Sequence, residues 1–199
     1  RGLCRRSSSD WLIITSAGLA IWDRLSNTCE FIVDPYEDQP DLELNDGAID
    51  RQGRLVVGSF NAARPDAADG SLYRLDTDRC LHKLDENIAL SNGIALSPNG
   101  KTLYASEMSA YRINAYDYDI ESGTTANRRL FVAMQEGEGK PDGLTVDSQG
   151  FVWAARWGGW RVTRYDPAGK MEREIHFPTE NVTCIGFGGE NLDELYVTT

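Results

Sequence analysis

One plan recurs along this chain at intervals of 41–50 residues, and a period of that length restricts the fold to a series of like supersecondary units. The clearest copy runs Ser91-Asn92-Gly93-Ile94-Ala95-Leu96-Ser97-Pro98-Asn99-Gly100, then the β-rich Lys101-Thr102-Leu103-Tyr104-Ala105-Ser106. Upstream, Asn45-Asp46-Gly47-Ala48-Ile49-Asp50-Arg51-Gln52-Gly53 keeps its order of amide or acid, glycine, short apolar run and polar turn. Downstream, Pro141-Asp142-Gly143-Leu144-Thr145-Val146-Asp147-Ser148-Gln149-Gly150 repeats it, and Thr183-Cys184-Ile185-Gly186-Phe187-Gly188-Gly189 begins a degenerate fourth copy, with Cys184 in the place of the leading glycine.

Within one copy the pattern predicts four short strands, at Gly93–Leu96, Thr102–Ser106, Tyr111–Tyr118 and Arg128–Met134, separated by turn-forming residues. The third strand of each copy leads into a turn headed by an aspartate: Asp76, Asp117 and Asp166. No segment combines helical periodicity with helical caps, so the class is all-β. Four strands in a repeat of this length make a β-propeller blade. Residues 41–86, 87–136 and 137–180 read as whole blades, and 1–40 and 181–199 as partial ones. Because propellers close with about four to eight blades, the sequence is expected to be a piece of one propeller domain, short at both ends.

Thirty-one acidic against twenty basic residues give a net charge of −11, which opposes the phosphate attraction that drives nucleic-acid binding. No apolar run approaches the roughly 18 residues of a membrane span, and Arg1-Gly2-Leu3-Cys4-Arg5-Arg6-Ser7 lacks the apolar core of a signal peptide. Cys4, Cys29, Cys80 and Cys184 show no metal or redox spacing, so they read as reduced, mostly structural thiols of a cytoplasmic protein.

A propeller's first strands line its central channel, which brings the residues just ahead of them to one mouth. Here these are Asn45 and Asp46, Asn92, and Asp142. Asn-Gly and Asp-Gly are ordinary turn dipeptides. At equivalent places in three consecutive repeats, with the residue before glycine changing from Asp to Asn to Asp, they also form an oxygen-donor set for Ca²⁺, Mg²⁺, Mn²⁺ or Zn²⁺. Other conspicuous residues read as structural. His82 and His176 have no partner spacing, and no Gly-x-Ser-x-Gly elbow is present. Trp153, Trp157 and Trp160 read first as blade core, although Arg156-Trp157 ends a second strand within reach of the mouth.

In their order and spacing, Asn45-Asp46-Gly47 with Asp50 and Gly53, Ser91-Asn92-Gly93, Pro141-Asp142-Gly143, and Gly186-Phe187-Gly188-Gly189 followed by Leu195-Tyr196-Val197-Thr198 resemble the regucalcin/gluconolactonase family of six-bladed propellers. That resemblance implies a lactonase acting on small sugar lactones, with a divalent cation held by a glutamate, an asparagine and an aspartate. It assigns the asparagine to Asn92 and the aspartate to Asp142, gives Asn45 a contact with substrate or metal-bound water, and makes Asp46 a supporting group. Asp142 would also act as general base toward the attacking water. The family's glutamate falls in a blade outside this chain. Glu43 stands where family members often carry a substrate-binding arginine, and Ala63 falls near a family glutamate position. These departures leave three readings: a sugar-lactone hydrolase, a non-catalytic calcium-binding or interaction propeller, and a related propeller enzyme acting on other esters.

Overall fold

The computed structural model describes residues 2–5 and 7–199. Arg1 and Arg6, which belong to the expected first partial blade, lie outside the described residues. The chain divides into two compact units, Arg1–Ser91 and Asn92–Thr199.

The first unit carries two four-stranded antiparallel sheets. One consists of β1 (Leu3–Arg5), β2 (Asp10–Thr15), β3 (Gly18–Asp23) and β4 (Thr28–Val33), in that order. The three-residue β1 pairs Leu3 with Ile13 and Arg5 with Trp11. The other sheet consists of β5 (Leu42–Ile49), β6 (Leu55–Asn61), β7 (Gly70–Leu75) and β8 (Leu81–Ile88).

The second unit holds β9 (Ser91–Leu96, whose first residue lies at the boundary), β10 (Thr102–Glu107), β11 (Arg112–Asp119) and β12 (Thr124–Ala133) in one sheet. A second sheet contains β13 (Lys140–Val146), β14 (Val152–Trp157), β15 (Arg161–Tyr165) and β16 (Met171–His176), and β17 (Cys184–Gly188) and β18 (Glu194–Thr198) form a two-stranded sheet. The helical content among the described residues is a single 3-10 turn, Met108–Ala110.

Strand composition follows position. Second strands such as Leu55-Val56-Val57 are buried on both faces, whereas fourth strands such as Met171-Glu172-Arg173-Glu174 are largely exposed. Removing apolar surface from water drives the sheets together within each unit. In the first, Leu12, Ile14, Leu19 and Ile21 of one sheet meet Leu44, Leu55, Val57 and Tyr73 of the other. In the second, Ala95, Tyr104, Ile113 and Val132 meet Leu144, Val152, Ala154 and Tyr165, while Trp153, Ala155 and Val162 meet Val182 and Ile185.

In three of the sheets a side chain clamps the turn from first to second strand. Asp50 Oδ1 accepts the N–H groups of Gln52 and Arg54, Asp147 Oδ1 those of Gln149 and Phe151, and Asn99 Oδ1 that of Lys101. This is the local bonding that makes Asn and Asp turn formers. Among the third-strand turns, Asp166 Oδ1 uses the same device on the N–H groups of Ala168 and Lys170, whereas after β7 it is Asp78, not Asp76, that accepts the Cys80 N–H, Asp76 pairing instead with Arg74. Asp119, not Asp117, accepts the N–H groups of Glu121 and Ser122, because β11 runs on past the buried Tyr118. Tyr111, expected in the strand, instead caps the 3-10 turn in the left-handed region at φ 53°.

The segment from Asp34 to Asp41, between β4 and β5, carries an anchor. The Tyr36 hydroxyl hydrogen-bonds Ser59 Oγ at 2.7 Å, its ring meets Tyr73 edge to face at 5.8 Å, and burial pushes the phenol up to about 12.

Candidate functional site

Two first strands of the second unit approach each other at Gly93 and Asp142. A Cβ on Gly93 would overlap the carbonyl oxygen of Asp142 and stand 2.7 Å from the Leu144 nitrogen, so β9 and β13 meet backbone to backbone. Glycine is the residue that permits this approach. This approach puts Asn92 and Asp142 next to that junction.

Local geometry orients both residues. Asn92 Oδ1 accepts the Gly93 N–H at 3.0 Å, and its Nδ2 donates to Met108 Sδ at 3.5 Å. The amide nitrogen is thus turned toward sulfur, and the oxygen keeps a second lone pair. Asp142 lies in an interruption of the β13–β14 ladder, where the register shifts between Pro141 and Leu144. Such a bulge re-aims a side chain that a regular strand would hold in the pleat. Asp142 is 9 % exposed, and its carbonyl accepts the Ser106 hydroxyl at 2.9 Å.

The first unit repeats this plan around Asn45 and Asp46. The β5–β6 register shifts between Leu44 and Gly47, and Asp46 Oδ1 accepts the Gly47 N–H at 2.8 Å, as Asn92 does for Gly93. Asn45 Nδ2 donates to the Ser91 carbonyl at 2.9 Å. Burial, and after it the charge of Asp46, pushes the Cys4 thiol up to about 11.

Chemically, Asn92 and Asp142 supply hard oxygen donors, one neutral and one carboxylate, from adjacent strands. They fit part of the shell of a hard divalent cation. Among the described residues no group of three His, Cys, Asp or Glu side chains is gathered to hold a metal ion.

Several residues depart from their sequence readings. Arg156 is buried, donating to the Glu138 and Gly139 carbonyls and to the Tyr165 hydroxyl, so it braces its hairpin instead of reaching outward. Trp153 is core, edge to face with Phe187 at 5.8 Å, and its indole N–H donates to Asp147. Trp157 and Trp160 are not core: they are 41 % and 49 % exposed. None of the four cysteines is in a disulfide, and Cys29, Cys80 and Cys184 are exposed, not packed as structural thiols. His82 and His176 lie on fourth strands with exposed side chains, beside Asp76 and Glu174. No described helix is long and apolar enough to cross a membrane.

Sequence reading missed Ser106, near the end of β10, and Met108, which opens the 3-10 turn after it; they touch Asp142 and Asn92. Their only sequence signal was position, at and just past the end of the second strand of the copy that Asn92 opens. It also missed Glu107 between them, a buried carboxylate that accepts from Arg112, Asn114 and Arg128.

Comparison with known proteins agrees with this architecture. The chain is 32 % identical over 196 residues to regucalcin of Danio rerio, covering 98 % of the chain and 66 % of that protein. It is 40 % identical over 156 residues to the pentonolactonase XacC of Haloferax volcanii, covering 78 % of the chain and 53 % of the relative. The crystal structure of a calcium-binding protein, regucalcin from Agrobacterium tumefaciens, superposes with a TM-score of 0.92 at 28 % identity, covering 98 % of the chain and 66 % of that structure. The chain thus spans 53–66 % of the length of these relatives. Residues 2–199 match the family described as SMP-30/Gluconolactonase/LRE-like region, and the chain belongs to that family.

Proposed function

We propose that this protein is a sugar-lactone hydrolase built as a six-bladed propeller, with Asn92 and Asp142 among the ligands of a divalent cation (Ca²⁺, Zn²⁺, Mg²⁺ or Mn²⁺). Asn45 contacts the lactone, Asp46 holds the turn beside it, and four cysteines outside any disulfide suit a cytoplasmic setting. One observation above the others supports the reading: β9 and β13 approach at Gly93 and the Asp142 carbonyl, so Asn92 and the buried Asp142 belong to neighbouring stretches of backbone. Membership of the gluconolactonase family supports it, as does the name pentonolactonase borne by the Haloferax relative.

A cation bound there would supply Lewis acidity toward the lactone carbonyl. Asp142 takes a proton from the water that attacks the carbonyl carbon. As the bond from that carbon to the ring oxygen breaks, the proton passes to the ring oxygen, giving a hydroxy acid. Asn92, fixed by Gly93 and Met108, presents its oxygen without reorganising.

The test is a hydrolysis screen of sugar lactones with full-length protein, with and without chelator. Chelator-sensitive, metal-restored turnover is the expected result, and no turnover of any lactone under metal saturation overturns the reading. A second reading, calcium binding without catalysis, is favoured by Glu43 at the expected arginine position and by the calcium-binding description of the Agrobacterium relative. It predicts calcium affinity with no hydrolysis.

A further inference from the structure

Two hairpins of the second unit are built alike although their sequences differ. One runs Glu107-Met108-Ser109-Ala110-Tyr111 and the other Arg156-Trp157-Gly158-Gly159-Trp160. Their ladders close equivalently, Glu107 pairing with Arg112 and Arg156 with Arg161. Each opens on a buried charged residue, Glu107 or Arg156, both 2 % exposed. Each ends on an aromatic residue in the left-handed region, Tyr111 at φ 53° and Trp160 at φ 58°. That conformation is a rarity for a bulky side chain and persists only where the surroundings impose it.

In the first hairpin the second residue, Met108, touches the candidate ligand Asn92. Trp157 holds the corresponding place in the second, opposite Lys140 and two residues along β13 from Asp142. The tryptophan hairpin is held rigidly: the Gly158 N–H donates to Asn181 Oδ1, the Trp160 N–H to the Glu180 carbonyl, and the Phe177 N–H to the Trp160 carbonyl. Lys140 Nζ lies 5.3 Å from the Tyr111 ring centroid, which links the two hairpins along the strand that bears Asp142. Trp157 and Trp160 thus stand half-exposed at the two ends of one fixed hairpin, and the strand partner of Trp157, Lys140, is two residues from Asp142, so an aromatic contact there would cost little ordering.

We propose that Trp157 and Trp160, continued by Met108 and Tyr111, form a subsite that takes the aryl or alkyl substituent of a lactone substrate. It deepens the lactonase reading by naming the substrate class: lactones with an apolar flank, in preference to fully hydroxylated ones. The indoles stack on the substituent while the ester group reaches Asp142.

The experiment uses full-length protein and two substrates, dihydrocoumarin as an aryl lactone and glucono-δ-lactone as a hydroxylated one. Trp157→Ala is expected to lower kcat/KM for dihydrocoumarin roughly tenfold, about 1.4 kcal/mol, with the loss carried by KM and largely recovered in Trp157→Phe. The loss for glucono-δ-lactone should be at least fivefold smaller. Equal losses on the two lactones, or none on dihydrocoumarin, overturn the proposal. A binding measurement separates it from the lactonase reading. The lactam analogue 3,4-dihydro-2-quinolinone, which is not hydrolysed, should quench tryptophan fluorescence saturably, with a Kd weakened roughly tenfold in Trp157→Ala. Lactam binding without hydrolysis of any lactone would keep the subsite and remove the lactonase. Failure of the wild-type protein to bind the lactam removes the subsite, whatever it hydrolyses.

Discussion

The Ser106 hydroxyl donates to the backbone carbonyl of Asp142 at 2.9 Å, tying the second strand of one sheet to the first strand of the next across 36 positions of sequence. The bond lies beside the place where Gly93 meets the same carbonyl, so the setting of Asp142 depends on close inter-sheet packing.

Gly93→Ala should therefore be among the most damaging single-methyl changes in the chain. The added Cβ would meet fixed backbone of β13, and overpacking of that kind costs roughly 1–3 kcal/mol or more. Gly186→Ala, where nothing lies within 4 Å of the new carbon, should change stability by under about 0.5 kcal/mol. Denaturant unfolding of both variants checks the contrast.

Asp142→Asn in full-length protein should reduce lactone hydrolysis by about a thousandfold or more, since it removes both a ligand charge and a proton acceptor while conserving shape. Circular dichroism should show an unchanged fold. Full activity in this variant under metal saturation would disprove the mechanism.

Asn92→Ala should weaken cation affinity more than it lowers the melting temperature, because the lost amide contacts only the Gly93 N–H and Met108 Sδ among the bonds that orient it. Calorimetric metal titration beside thermal unfolding measures the two effects separately.

Glu43→Arg should improve KM for anionic and polyhydroxylated lactones through charge-assisted hydrogen bonds. Steady-state kinetics on such lactones checks the direction, and an unchanged KM would detach position 43 from substrate.

Acid stability should depend on Asp147. Burial pushes its carboxyl up, but the Trp153 indole N–H, the Arg164 guanidinium and the Phe151 N–H together bring it below its ordinary value of 3.8. A carboxylate lowered on folding contributes stability that is complete above its unfolded pKa and is lost as pH falls through the folded one. Stability should thus decline below about pH 4, and Asp147→Asn should flatten that decline in denaturation curves recorded from pH 5 to pH 2.

The strands and the first-strand glycines were legible because repetition multiplies a weak local signal. The motif around Asn92 gains its meaning from the copies around Asp46 and Asp142. The turn of β11 was misread by two residues because Asp117 and Asp119 offer the same oxygen, and only the buried Tyr118 shows how far the strand runs. Ser106, Met108 and Tyr36 were missed because their partners lie in other strands or another sheet, at separations no local pattern records. The tryptophans misled for a related reason: Trp153 and Trp157 share one strand, but Trp157 stands at its end, where the adjoining sheet no longer covers it.

The turns clamped by Asp50, Asn99 and Asp147 lie at the opposite ends of their strands from the hairpins that carry Met108 and Trp157. Register is therefore decided at one end of the sheet and side-chain chemistry is displayed at the other. An exchange at Met108 or Trp157 leaves the pairing of Val146 with Val152 undisturbed, so natural selection can try new rims on an unchanged frame. The surface at one end of such a sheet is free to drift faster than its architecture.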